Sequence, residues 1–407
     1  MRLLFFTTFL LFRAVVVISQ NAINLNDVTT EISFPYEISN DFILLDVKFN
    51  NVLPLKFLFD TGSEHCILFK REYSDLLGLT YQKRIPLLGS DLSQEVFGYI
   101  VRGVALNIQN TCLAQTDMLI LEEDYLRLDE LTGIKIDGMI GANIFRQFIL
   151  YINNREQRIT FIRPDKFKPP KKYMEFSIDV SKHKPYIQAY TRLAGQSEKI
   201  LIRLLMDTGA ALPLLIYTNT HDDLTLPPET ITGNLGMGLG GFLEGYIGRL
   251  DLFEFGEYSY SNLITSFQEI PQDSIMGSDS WRNGILGNSI LSRFNFYIDY
   301  FHEKLYIQPN RKYKKKFKFD RSGLLIVATG PNLHNFIVQK VLEDSPASEA
   351  GFEKGDVLTT LQRLPVNLFS LQRIISVLSA KEGKTIRITI NRNGTKMKMK
   401  FELSDLI

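Results

Sequence analysis

The sequence predicts a mainly β fold, with two homologous β-barrel lobes in tandem followed by a small α+β domain. Three observations carry this expectation. A long block of the chain repeats at a near-constant offset. The apolar runs inside each copy are short, alternating, and broken by Gly, Pro, Asn and Asp, which is strand patterning. After Gly323 the pattern changes to a compact unit with one amphipathic helix. The expected units are residues 32–162, 173–308 and 320–407, with residues 1–20 standing apart.

The repeat is read from four pairs of segments. Phe57-Leu58-Phe59-Asp60-Thr61-Gly62-Ser63 returns as Leu204-Leu205-Met206-Asp207-Thr208-Gly209-Ala210, an offset of 207 − 60 = 147. Gly98-Tyr99-Ile100 returns as Gly245-Tyr246-Ile247 at the same offset. Gly138-Met139-Ile140-Gly141 returns as Gly284-Ile285-Leu286-Gly287, and Tyr151-Ile152-Asn153 as Tyr297-Ile298-Asp299, both 146 apart. Short helices fit only Lys70 to Leu77 and Glu122 to Leu131. The seam Arg163 to Lys172 has the proline and charge of an exposed connection, and the basic run Arg311 to Lys318 reads as a solvated linker or edge strand.

At 407 residues the chain is too long for one core. Its 45% hydrophobic content, with 29 Phe and 17 Tyr, suits a strand-rich globular protein. A formal net charge of +1 gives no long-range attraction to nucleic acid, so no nucleic-acid partner is expected. Residues 1–20 follow the plan of a secretory signal, with Arg2 before an apolar stretch and Ser19 near a cleavage point. Arg13 inside that stretch keeps an N-terminal membrane anchor as the alternative. Export, periplasmic or extracellular, is therefore the expected localisation. It would place Cys66 and Cys112 where a bridge can form, a pairing that spacing alone leaves open. Two cysteines and five scattered histidines offer no tetrahedral zinc site, and neither metal nor cofactor is expected.

One Asp-Thr-Gly is common turn chemistry, but two symmetric copies are not accidental. Each follows an apolar strand and leads into another apolar run, so Asp60 and Asp207 sit at strand ends near a core, where an unpaired carboxylate is costly. This pattern resembles the aspartic peptidases of the pepsin and retropepsin-like clan, in which two acid-protease lobes each bring an Asp-Thr-Gly loop to one cleft. The apolar-apolar-Gly segments ending at Gly141 and Gly287, 81 and 80 residues beyond their aspartates, match the segment that crosses behind each loop in that family.

The resemblance implies that Asp60 and Asp207 are the catalytic pair. Two carboxyls about 3 Å apart cannot both ionise and therefore share a proton. The ionised member takes a proton from a water, the protonated one donates to the peptide carbonyl, and no covalent intermediate forms. It also implies that Thr61 and Thr208 bond across the lobe interface and that Gly62 and Gly209 let backbone amides approach the carboxylates. Ser63 is expected to donate to Asp60, where Ala210 in the other copy has no hydroxyl. Covering hairpins would span Leu88 to Ile100 and Gly233 to Ile247, bringing Tyr99, Tyr246, Gly240 and Gly241 to the substrate. The glycine-rich stretch Gly233 to Gly241 lacks the Lys-Ser/Thr pair of a phosphate loop.

In the last unit, Asp344-Ser345-Pro346-Ala347 through Ala350-Gly351, followed by Gly355-Asp356-Val357-Leu358, resembles a circularly permuted PDZ domain. Strands are expected at 324–328, 336–342, 357–361, 386–391 and 396–403, a helix at 370–379, and a tight turn at Asn393-Gly394. The resemblance implies that Gly323, Leu324, Leu325 and Ile326 form the loop that captures a peptide C-terminus, although they depart from the usual Gly-Leu-Gly-Phe type. The chain is thus expected to be an aspartic-type endopeptidase acting on polypeptides, with a PDZ-like module that binds peptide or regulates access. The rival expectation is an inactive exported scaffold that uses the same cleft to hold peptides.

Overall fold

The structure is a computed structural model that describes residues 30–88, 95–108, 111–238, 241–271 and 281–407. The expected signal or anchor at residues 1–20 lies outside them. Among the described residues no helix is long and apolar enough to cross a membrane.

Both lobes are built by the same local rule. In Phe42–Phe49 the side chains of Val47 and Phe49 are buried while Asp46 and Lys48 face out. The Asn50-Asn51 turn, with φ of 46° and 63°, returns the chain antiparallel into Leu53–Phe59. Leu53–Phe59 then lies parallel to Gly138–Ile140, which pairs with Cys66–Leu68 and so on through Thr111–Leu121 and Glu95–Ile108 to Lys83–Leu88. A further pairing of Phe42–Phe49 with Glu95–Ile108 closes the barrel.

The second lobe repeats this order strand for strand. Lys184–Arg192, Ile200–Asp207, Gly284–Gly287 and Leu214–Tyr217 lead through Tyr258–Gln268 and Gly241–Phe255 to Thr230–Gly238, closed by pairing of Lys184–Arg192 with Gly241–Phe255. The mainly β reading with two homologous lobes is borne out. Of the two expected helices, Arg71–Leu76 forms in place, whereas the second is confined to Leu128–Thr132. Arg127 at φ 44° and Gly133 at φ 72° bracket it in left-handed conformations, which stop a helix at both ends.

A six-stranded sheet joins the lobes with three strands from each: Glu31–Pro35, Arg158–Ile162 and Ile149–Asn153, then Phe294–Asp299, Lys304–Pro309 and Met174–Ser177. One continuous apolar core runs beneath it, from Phe59, Phe145 and Phe161 in the first lobe to Phe253, Phe294 and Phe296 in the second.

The C-terminal unit has its own core and a sheet in the order Leu324–Thr329, Asn335–Val341, Val357–Leu361, Thr385–Arg392, Thr395–Glu402. Ser370 caps the helix Leu371–Leu378 by accepting from the Arg373 amide, and the helix buries Leu371, Ile374 and Leu378. This unit is docked on both lobes. Asp405 pairs with Arg249 at 3.3 Å, Lys340 with Glu244 at 3.2 Å, and the helix Leu128–Thr132 lies against Leu324–Thr329. At the end of that helix a Cβ on Gly133 would fall 2.8 Å from the Leu371 Cβ.

Candidate active site

The two Asp-Thr-Gly loops meet at the lobe interface and are locked by crossed hydrogen bonds. The Thr61 amide donates to Thr208 Oγ1 and the Thr208 amide to Thr61 Oγ1, both at 3.1 Å. Each hydroxyl then reaches the opposite lobe: Thr61 Oγ1 donates to the Met206 carbonyl at 2.7 Å and Thr208 Oγ1 to that of Phe59 at 2.8 Å. Both threonines are fully buried, so four backbone groups that would otherwise be orphaned are paired here.

Above this lock stand Asp60, buried at the end of Leu53–Phe59, and Asp207, half-buried at the end of Ile200–Asp207. The Gly62 amide donates to Asp60 Oδ1 and the Gly209 amide to Asp207 Oδ1, each at 2.7 Å. Each glycine also faces the opposite carboxyl: a Cβ on Gly62 would lie 2.5 Å from Asp207 Cγ, and one on Gly209 2.5 Å from Asp60 Cγ. No side chain fits at either position, which is the physical reason for both glycines.

Behind the loops, the Asp60 amide donates to the Ile140 carbonyl at 3.0 Å, and the Ala142 amide to that of Ser63 at 2.9 Å. In the second lobe Asp207 pairs with Gly287 in a parallel ladder and the Asn288 amide donates to the Ala210 carbonyl at 2.8 Å. A Cβ on Gly141 would meet the His65 carbonyl oxygen at 2.4 Å, and one on Gly287 that of Leu212 at 2.1 Å.

The two carboxyls hydrogen-bond to each other, which requires a proton between them. Burial, then the neighbouring Asp207 charge, push Asp60 well above the usual carboxylate range. Asp207 is also raised by burial, but its bond with Asp60, the Gly209 amide and the cations Arg282 and Lys184 all favour its charged form. The two carboxyls therefore titrate as a pair, both raised by burial, with Arg282 and Lys184 on the Asp207 side. Sequence reasoning missed Arg282 and Lys184, which reach the pair only through the fold. The one local signal was an arginine directly ahead of the Asn283-Gly284 turn into the backing strand.

Ser63 is placed differently from expectation. Its hydroxyl donates to the His65 carbonyl at 2.9 Å, and it is the Ser63 backbone amide that serves Asp60. The tight turn aims the Ser63 side chain away from the carboxylate.

A cavity of about 1190 Å³ opens from the pair, with Leu58, Met139 and Leu131 on one side and Leu215, Ile231 and Ile247 on the other. Tyr99 and Tyr246 do not line it. Tyr99 donates to Glu122 at 3.0 Å and packs at a tilt against the Tyr81 ring, and Tyr246 is 42% exposed. The reason is strand alternation: Leu243 and Ile247 occupy the inward face of Gly241–Phe255, which turns Tyr246 outward. The backbone of Gly241 pairs with Gly238 near the hairpin tip, while Gly240 lies outside the described residues. The thiol of Cys66 is free and buried, donates to Asn143 at 3.2 Å, and is pushed up to about 12 by burial.

At the C-terminal unit, the loop amides already have partners. Gly323 donates to Asp320 Oδ2 at 2.7 Å, the Ser322 hydroxyl donates to Asp320 Oδ1 at 2.7 Å, and the Leu324 amide donates to Ser322 Oγ at 3.1 Å. Leu325 is half-buried, and Ile326 packs into the core. Burial raises Asp320 to about 6. Among the described residues no group of three or more His, Cys, Asp or Glu side chains is placed to hold a metal ion.

Residues 45–144 match the family described as aspartyl protease, and residues 314–403 match the PDZ domain. The resemblance read from the sequence, to an aspartic peptidase with a C-terminal PDZ domain, is borne out by these two matches. No curated protein matches the chain at a significant level. Among solved structures the chain is similar to a photosystem II D1 C-terminal processing protease at 20% identity and a TM-score of 0.20, over 21% of this chain and 23% of that one. A likeness that loose says nothing of the fold. The chain combines a protease-family lobe with a PDZ module.

Proposed function

We propose that the chain is an aspartic endopeptidase in which Asp60 and Asp207 activate a water against a peptide bond. The observation that carries this reading is the pair of hydrogen-bonded carboxyls held by the crossed Thr61 and Thr208 bonds at the floor of an apolar cleft. Charged Asp207 takes a proton from the water as its oxygen attacks the carbonyl carbon. Asp60 gives its proton to the carbonyl oxygen, and collapse of the tetrahedral diol with proton transfer to the amide nitrogen breaks the C–N bond. Thr61, Thr208, Gly62 and Gly209 keep the two carboxyls within reach of one water, so positioning is settled before substrate arrives.

The PDZ module is assigned to peptide binding or to control of access, because its helix and first strand border the same cavity as the aspartates. Export to an extracytoplasmic compartment is part of the proposal and rests on the sequence of residues 1–20 alone.

Digestion of a reduced, alkylated protein by wild type and by Asp207→Asn tests the reading. Wild type is expected to cleave it at mildly acidic or neutral pH, with the variant at least about a thousandfold slower. Equal rates in the two would sink the proposal.

A further inference from the structure

The basic run between the second lobe and the PDZ module is not a loose linker. Arg293, only 7% exposed, donates through Nη1 to the carbonyls of Lys312 and Tyr313 at 3.2 Å and to that of Lys315. Its guanidinium also lies 3.5 Å from the Phe317 ring centroid. Tyr313 packs edge-on against Tyr258 and Tyr260, and Phe317 against Tyr260. Aromatic anchors thus alternate with lysines, and one buried arginine clamps the backbone between them. The expectation of a solvated linker is corrected on this point: the run is pinned to the lobe.

The pinned strap forms a wall of the cavity that contains the aspartates. Lys312, Lys315, Lys316 and Lys318 line that cavity, and Arg373 of the PDZ helix faces it from the other side. Among the described residues none of these five side chains is paired with an acid. The acids that share the cavity are committed elsewhere. Asp41 accepts from the Ser289 hydroxyl, Asp320 from Ser322 and Gly323, and Asp60 and Asp207 hold each other. The wall is therefore an ordered backbone that presents unpaired positive side chains, Lys315, Lys316 and Lys318 exposed to solvent, at the edge of an apolar cleft.

We propose that the peptidase selects polypeptides with an acidic segment beside the cleaved bond, with Lys315, Lys316 and Lys318 as specificity-determining residues. This inference rests on the peptidase reading above. Because the strap is already ordered, little of the lysines' attraction is lost to fixing their backbone.

The test is digestion of a proteome-derived peptide library, at low salt and in roughly half-molar sodium chloride, by wild type, the triple variant Lys315→Gln/Lys316→Gln/Lys318→Gln and the single reversal Lys316→Glu. Wild type is expected to enrich Glu and Asp on one flank of its cleavage sites, with about tenfold higher kcat/KM for acidic over matched amide peptides at low salt, shrinking toward equality at high salt. The triple variant loses that ratio, and Lys316→Glu lowers it while keeping a wild-type thermal midpoint. Cleavage without acidic enrichment overturns the inference and leaves the peptidase reading intact, whereas an uncut library overturns both. Sedimentation of wild type, but not of the triple variant, with phosphatidylserine vesicles, together with unbiased cleavage, would assign the lysines to a lipid surface and overturn it equally.

Discussion

Tyr151 and Tyr297 occupy the same place in the two copies of the repeat and stack on each other, with ring centroids 4.0 Å apart and planes within 6°. They face each other where Ile149–Asn153 pairs antiparallel with Phe294–Asp299, at the seam of the sheet that joins the lobes. Tyr151→Ala and Tyr297→Ala, combined in a double-mutant cycle by urea unfolding, are expected to show a coupling of about 0.5–1.5 kcal/mol. A coupling near zero would mean that the ladder alone joins the lobes there.

Thr61→Val keeps the shape of the side chain and removes the hydroxyl. The Thr208 amide and the Met206 carbonyl are left buried without their partner. A loss of about 2–6 kcal/mol in stability is expected, one to three for each orphaned group, and kcat falls more than KM rises because the carboxyls lose their alignment. Steady-state kinetics beside thermal unfolding separates the two effects.

Asp60 is raised in the folded protein, so the stability tied to its neutral form is fully present below the unfolded value near 3.8 and is lost as pH rises through the folded value. Asp60→Asn removes a buried charge-prone group. It is expected to abolish cleavage yet to stabilise the protein by on the order of 1 kcal/mol at neutral and alkaline pH, with less gain in acid. Melting curves across pH for wild type and variant would show the difference growing with pH, and a variant less stable at every pH would contradict the assignment.

Asp320 titrates near 6 against an ordinary 3.8. The sign is the same: folding favours its neutral form, so its contribution is complete below about pH 4 and disappears as pH climbs past 6. The span is on the order of 2–3 kcal/mol. Asp320→Asn keeps an acceptor for the Gly323 amide and is expected to flatten the wild-type pH dependence between 4 and 6, as differential scanning calorimetry can check. Asp320→Ala frees the loop amides and is expected to tighten binding of peptides with a free C-terminus.

The repeat made the lobes legible, because each copy carries its own alternation and its own Asp-Thr-Gly turn. Thr61 and Thr208 stand in that motif, and the family resemblance pointed to their cross-lobe bonding. The two tyrosines beside Gly98 and Gly245 misled, since a side chain next to a glycine in a strand can face either way and only the barrel decides. Lys184 and Arg293 left no trace in local pattern, and Arg282 left only its place just ahead of the backing strand. Each acts on a residue far away in the chain or through backbone carbonyls, which carry no sequence signature. The Lys-rich run read as solvent-facing because its anchors, Tyr313 and Phe317, find their partners only in the folded lobe.

The helix Leu128–Thr132 and Gly133 touch the first strand and the long helix of the PDZ module, the two sides between which such a domain lays a peptide. The first lobe thus lies against both of those sides, tied to the module through the same chain. A peptide laid between that strand and helix would have to share them with the first lobe, and would loosen the wall that the module forms over the cleft. Occupancy of one end would then be felt at the other as a change in how readily the cleft admits its substrate.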